Sequence, residues 1–107
     1  MMTELGVRDE AGAGFAPDED NAHWSYAGPL IYTNAGAVLA AASGLRLPVG
    51  GEVDLCDVTL IDSAAVAVLL ALKRRAVGEG RPLAFVNVPG ALAALAELYG
   101  VEGMLAA

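Results

Sequence analysis

Cysteine and histidine each occur once in this chain, as Cys56 and His23. No internal disulfide and no Cys-based zinc cluster can form from that inventory, which points to a reducing compartment. Ser63 and His23 are the one Ser–His pair that can be drawn, and neither an oriented carboxylate nor an oxyanion element accompanies them, so the chain does not read as an enzyme. Basic residues are also scarce. Six stand against 13 acidic ones, for a formal net charge of −7, which argues against nucleic acid or an anionic membrane being bound through bulk charge. No phosphate loop is present, because Gly78-Glu79-Gly80 shares only its glycines with GxxxxGK(S/T). Long hydrophobic runs are missing too. The longest, over 63–72, is half of the roughly 20 residues a membrane span needs, and Lys73, Arg74 and Arg75 close it. The start, MMTELGVRDE, has neither the basic opening nor the apolar run of a signal peptide. Together these absences lead us to expect a cytoplasmic protein without direct membrane insertion.

What is present is apolar: 56% of the residues are hydrophobic, enough for one compact core at this length and not for two. Residues 1–10 are polar and aperiodic, the pattern of a flexible extension, and 11–107 read as one domain. Phe15 is the one large apolar residue of a short edge strand over 11–17, and Asp18-Glu19-Asp20-Asn21 has turn chemistry. Over 22–27, Trp24 and Tyr26 alternate with His23 and Ser25, as in a half-buried strand whose two aromatic residues face the core. Gly28-Pro29 ends that strand. Thr33 or Asn34 can cap a helix running to about Ser43, with Val38, Ala42 and Leu45 spaced towards the core.

The next strand, over 53–59, alternates Val53 and Leu55 against Asp54 and Cys56 and loses its pattern near Asp57. Asp54 and Asp57 offer two carboxylates but no convergent third ligand, so we read a solvated strand end and expect no metal or cofactor. Cys56 is expected to pack as a small apolar residue. A helix over 63–77 follows, apolar nearly all round at its start, with Lys73, Arg74 and Arg75 complementing the negative end of its dipole. Residues 83–88, rich in β-formers, predict an interior strand. Pro89 then suits the first turn of a third helix whose core face carries Leu92, Leu95 and Tyr99. The tail over 101–107 has the length of one more short strand or turn.

The order β-β-α-β-α-β-α implies an α/β fold with a mixed sheet: two strand–helix–strand crossovers give parallel pairs and the initial hairpin an antiparallel one. The junction between the 53–59 strand and the 63–77 helix is the most informative stretch. Asp62 reads as a turn residue that can also shape a partner site, and Ser63 as an N-cap whose hydroxyl accepts from the amide of Val66. Helix starts also favour anions, so a phosphate on Ser63 would meet donors already in place.

Leu60-Ile61-Asp62-Ser63-Ala64-Ala65-Val66-Ala67-Val68-Leu69-Leu70, together with the order of elements over about 11–105, resembles the STAS family, which includes the anti-sigma-factor antagonists. The resemblance implies a STAS-like sheet with helices packed mainly on one face and a non-enzymatic role. It also implies a serine or threonine after the aspartate that regulatory members have phosphorylated by a partner kinase, a role that would fall on Ser63. One departure is Ala65, where the family pattern often has glycine; its methyl stands where a partner would approach closely. A narrower resemblance, to the MlaB-like branch, rests on Trp24-Ser25-Tyr26-Ala27-Gly28-Pro29-Leu30 and Leu95-Ala96-Glu97-Leu98-Tyr99-Gly100. It implies a cytoplasmic subunit, peripheral to the inner membrane, that docks on the ATPase of a phospholipid-trafficking ABC transporter. Asp62, Ser63, Ala64 and Ala65 are then the expected partner-binding residues. Three uses of Ser63 stand side by side: an unmodified cap, a phosphorylation site on an antagonist of an anti-sigma kinase, and a direct contact to a partner.

Overall fold

The structure, a computed structural model, describes residues 13–104; the expected extension over 1–10 lies outside them. Strand β1 (Gly14–Pro17) pairs antiparallel with β2 (His23–Leu30), and helix α1 (Tyr32–Ala42) carries the chain to β3 (Glu52–Ile61). Helix α2 (Ser63–Gly78) leads to β4 (Ala84–Val86), and α3 (Gly90–Leu98) to a single 3-10 turn, Glu102–Met104. The sheet order is β1-β2-β3-β4, with β2–β3 and β3–β4 parallel. This is the mixed sheet and element order that the sequence implies.

The β1–β2 hairpin is held by its turn. Asn21 adopts a left-handed backbone (φ 53°), which asparagine tolerates better than most residues. Its side-chain oxygen accepts from Trp24 Nε1 at 3.1 Å, and its Nδ2 donates to the carbonyl of Leu47 at 3.2 Å. Trp24 and Tyr26 are buried, as their alternation requires, and Phe15 packs on both, 5.7 Å from the Trp24 ring and 4.7 Å edge-on to Tyr26. Strand β2 extends three residues past Ala27, through the expected stop at Gly28-Pro29 to Leu30. Gly28 makes this possible: its φ is 97°, and a Cβ there would come within 2.9 Å of the Ala13 methyl.

Strand β3 is longer than predicted and slips register against β2 twice. Ser25 faces Asp54 and Ala27 faces Asp57, so Tyr26 alone stands opposite Leu55 and Cys56. Gly28 faces Val58 and Leu30 faces Ile61, so Pro29 alone stands opposite Thr59 and Leu60. Pro29 has no amide to donate to a ladder, which makes the second slip a natural place for a bulge. The first slip overturns the packing expected for Cys56: two successive residues share one partner, and the thiol ends up exposed.

Helix α2 lies between α1 and α3 and buries Ala65, Val66, Val68, Leu69, Leu72 and Ala76. Its basic residues do more than answer its own dipole. Arg75 donates from Nη1 to the carbonyl of Ala42 at 3.2 Å and from Nη2 to that of Leu45, while its Nε meets Glu79 at 3.0 Å. It thus adds a charged donor at the C-terminal end of α1, whose last turn has no basic residue and whose Ala42 carbonyl also accepts from the Leu45 amide at 2.9 Å. Lys73 donates to the carbonyl of Leu83 and ties α2 to the entry of β4.

Two expectations fail at the far side of the sheet. Residues 83–88 do not form an interior strand; β4 has only three residues and is an edge among the described residues, because Asn87 turns left-handed (φ 55°) and stops it. Tyr99 does not face the core either. Helix α3 ends at Leu98, its buried residues are Leu92 and Ala96, and Tyr99 sits exposed at the C-cap. The helices cover the sheet face that carries Phe15, Trp24, Tyr26, Val53, Leu55 and Phe85, while the opposite face presents His23, Ser25, Glu52 and Asp54.

Candidate functional site

The last β2–β3 pair, Leu30 with Ile61, delivers two helix starts side by side at one end of the parallel strands. Ile31 occupies the N-cap of α1 and Asp62 that of α2. The cap of α2 is therefore Asp62, not Ser63: Asp62 Oδ1 accepts from the amide of Ala64 at 2.8 Å. Both residue types make good caps, and the extended backbone of Asp62 (φ −143°, ψ −167°) decides between them, because Ser63 is already helical. The second carboxylate oxygen, Oδ2, accepts from the amide of Tyr32 at 3.0 Å. One aspartate thus serves the first turns of two helices.

The start of α1 also departs from expectation. The helix begins at Tyr32, and neither Thr33 nor Asn34 is its cap. Asn34 works from inside the first turn instead: its Oδ1 accepts from the Ile31 amide at 3.0 Å and its Nδ2 donates to the Pro29 carbonyl at 2.8 Å. The Tyr26 hydroxyl donates to the same carbonyl at 2.6 Å. The loop joining β2 to α1 is consequently pinned from the core side and from the helix side.

Of the four residues singled out from the sequence, Ser63 is exposed, Asp62 and Ala64 are half-buried, and Ala65 is wholly buried. The Ala65 methyl points into the core, so it is a packing group and not an obstacle on the surface. Among the described residues the Ser63 hydroxyl has no hydrogen-bond partner, since the capping work falls to Asp62. Two apolar side chains stand close by in the fold: Tyr32, 79% exposed, whose amide is bound to Asp62, and Leu60, 62% exposed, three positions before Ser63. Neither was singled out from sequence. Tyr32 looks like an ordinary residue before a helix, and Leu60 is turned outward only by the slip opposite Pro29.

A concavity of about 400 Å³ opens at the other end of β2 and β3 and is lined by Asp18, His23, Ser25, Glu52, Asp54 and Asn87, among others. Asp54 Oδ1 accepts from the Cys56 amide at 2.9 Å and from Asn87 Nδ2 at 3.2 Å, and these donors hold its carboxyl below the usual value. Hydrogen bonding to Asp54, some burial and the negative charges of Asp54 and Asp57 push the Cys56 thiol up, which disfavours the nucleophilic thiolate. No group of three or more metal-ligating side chains occurs among the described residues. No helix among them is long and apolar enough to cross a membrane.

A mixed sheet with helices on one side and two helix starts side by side at its strand ends is an α/β domain. The profile of the family described as Mlab, STAS domain, matches residues 31–106, and the chain belongs to that family. The match runs from the N-cap of α1 to the tail and leaves β1 and β2 outside. Domains of this family are in general non-enzymatic modules that bind partner proteins. No curated protein matches the chain significantly.

Proposed function

We propose that this chain docks on and regulates a cytoplasmic NTPase, the ATPase subunit of an MlaB-like lipid-transport ABC complex, at the cytoplasmic side of the inner membrane. The observation that carries this reading is the exposed Ser63 at the start of α2, with its hydroxyl uncommitted and with Tyr32 and Leu60 exposed at the same end of the sheet. Interface centres favour aromatic and apolar anchors beside a few polar groups, and this surface has that composition. Asp62 contributes by holding the surface in shape, and Ala64 by its half-buried position beside Ser63. Co-purification of the ATPase with the tagged chain tests the reading. Ser63→Glu and Leu60→Asp should each reduce capture at least tenfold while the circular-dichroism melt stays within a few degrees. Undiminished capture by both variants would place the contact elsewhere.

The uncommitted hydroxyl of Ser63 also favours a second reading, an anti-sigma-factor antagonist switched by phosphorylation of Ser63 by an anti-sigma kinase. A phosphoserine there would add about −1.5 to −2 charge to the surface. Incubation with the cognate kinase and ATP, followed by intact-mass analysis, separates the two: a chain that gains no phosphate is not such a switch.

A further inference from the structure

Helix α1 lacks a cap of its own. Its N-cap residue is Ile31, whose side chain has no acceptor, and the amide of the first helical residue, Tyr32, takes its acceptor from Asp62, 30 positions along the chain. The same carboxylate caps α2 through its other oxygen. Asn34 steadies the chain just before Tyr32, but its oxygen is directed at the Ile31 amide and not at that of Tyr32. Beyond the Leu30–Ile61 ladder pair and the Asn34 contacts that hold the preceding loop, one carboxylate with one oxygen on each helix start links Tyr32 to the start of α2.

We propose that Asp62 is a positioning residue that couples residue 63 to Tyr32, so that negative charge on residue 63 loosens the start of α1. This builds on the docking role proposed for the same surface and supplies its regulation. Residue 63 follows Asp62 directly and stands at the positive end of α2. An anionic group there repels the Asp62 carboxylate. The Asp62–Tyr32 bond is the exposed one of the carboxylate's two links, whereas the Asp62–Ala64 bond is half-buried. The exposed link gives way first, and the start of α1 loosens at Tyr32. Charge at residue 63 thus acts twice on a partner: directly, and by loosening the helix start that carries the exposed Tyr32.

The coupling is measurable in the full chain without any partner, through amide hydrogen exchange and ¹H–¹⁵N spectra. Ser63→Glu should accelerate exchange of the Tyr32 amide on the order of tenfold, the consequence of losing a hydrogen bond to a charged acceptor, and should move its amide proton upfield. Exchange at Val38 and Ala42 should not change. The neutral Ser63→Gln should leave the Tyr32 amide as it is. In the Asp62→Asn background, where residue 62 can still cap but carries no charge, Ser63→Glu should have less than a third of its effect. A Tyr32 amide that stays within twofold of wild type in Ser63→Glu while the Ala64 amide responds would overturn the coupling. A responsive Tyr32 amide together with undiminished capture by Ser63→Glu and Leu60→Asp would instead remove the docking reading and leave the coupling standing.

Discussion

The exchange of roles between Asp62 and Ser63 is a difference of one position with measurable consequences. Asp62 satisfies the amides of Ala64 and Tyr32, whereas the Ser63 hydroxyl satisfies nothing among the described residues. Asp62→Ala should therefore cost about 1–2 kcal/mol in urea denaturation, and Ser63→Ala less than about 0.5 kcal/mol. Equal losses would restore Ser63 as a cap. Cys56 offers a second check at this scale. Its neighbours push the thiol up, so at pH 7 it should react with a maleimide more slowly than free cysteine does, despite its exposure. Asp54→Asn removes the carboxylate that accepts from the thiol and repels the thiolate, and should speed the reaction. Asp54 itself, with its carboxyl held low, contributes stability that is fully present above the ordinary carboxylate value of 3.8 and is lost as pH falls through the lowered folded value. The stability gap between wild type and Asp54→Asn should accordingly close on acidification below pH 3.8, as followed by urea midpoints. The residue types at these positions were legible in the sequence. Which of two adjacent good caps does the capping was not, because it depends on backbone dihedrals that the end of β3 imposes.

Among the elements, α2 lies between α1 and α3, and Arg75 shows how it holds a neighbour. The guanidinium reaches two carbonyls beyond its own helix, at Ala42 and Leu45. Arg75→Ala leaves those carbonyls without a charged donor and should cost about 1–3 kcal/mol, while Arg74→Ala, at an exposed position, should fall within about 0.5 kcal/mol of wild type. Comparable values for the two arginines would mean that the reach to α1 adds nothing. From sequence, Lys73, Arg74 and Arg75 form one basic group at a helix end. Only the tertiary structure separates them: Lys73 reaches the Leu83 carbonyl, Arg75 reaches the end of α1, and Arg74 is exposed. Helix positions were otherwise well marked by period, as Val38 and Ala42 in α1 and Leu92 in α3 illustrate. Strand limits were marked less well, because a bulge opposite Pro29 and a left-handed Asn87 are backbone events with weak side-chain signals.

For the whole molecule, we expect residues 11–107 to unfold as one unit. Trp24 is the only tryptophan and is 1% exposed in a core shared by β1, β2 and the helices. Its fluorescence and the far-ultraviolet circular dichroism should then trace a single coincident urea transition. Separate midpoints would divide the chain into independently folding parts. The sequence by itself determined the class of fold, since the alternation of Trp24 and Tyr26, the helical spacing of the apolar residues in α2 and the element order leave few ways to bury one core. It also placed the β3–α2 junction, through Asp62-Ser63 before an apolar run. Only the tertiary structure decided what that junction is. The shared carboxylate of Asp62, the exposure of Tyr32 and Leu60 and the burial of Ala65 arise from strand register and from α1 and α2 starting side by side. Register joins residues about 30 positions apart through hydrogen bonds between strands, and no local pattern in the sequence encodes that distance.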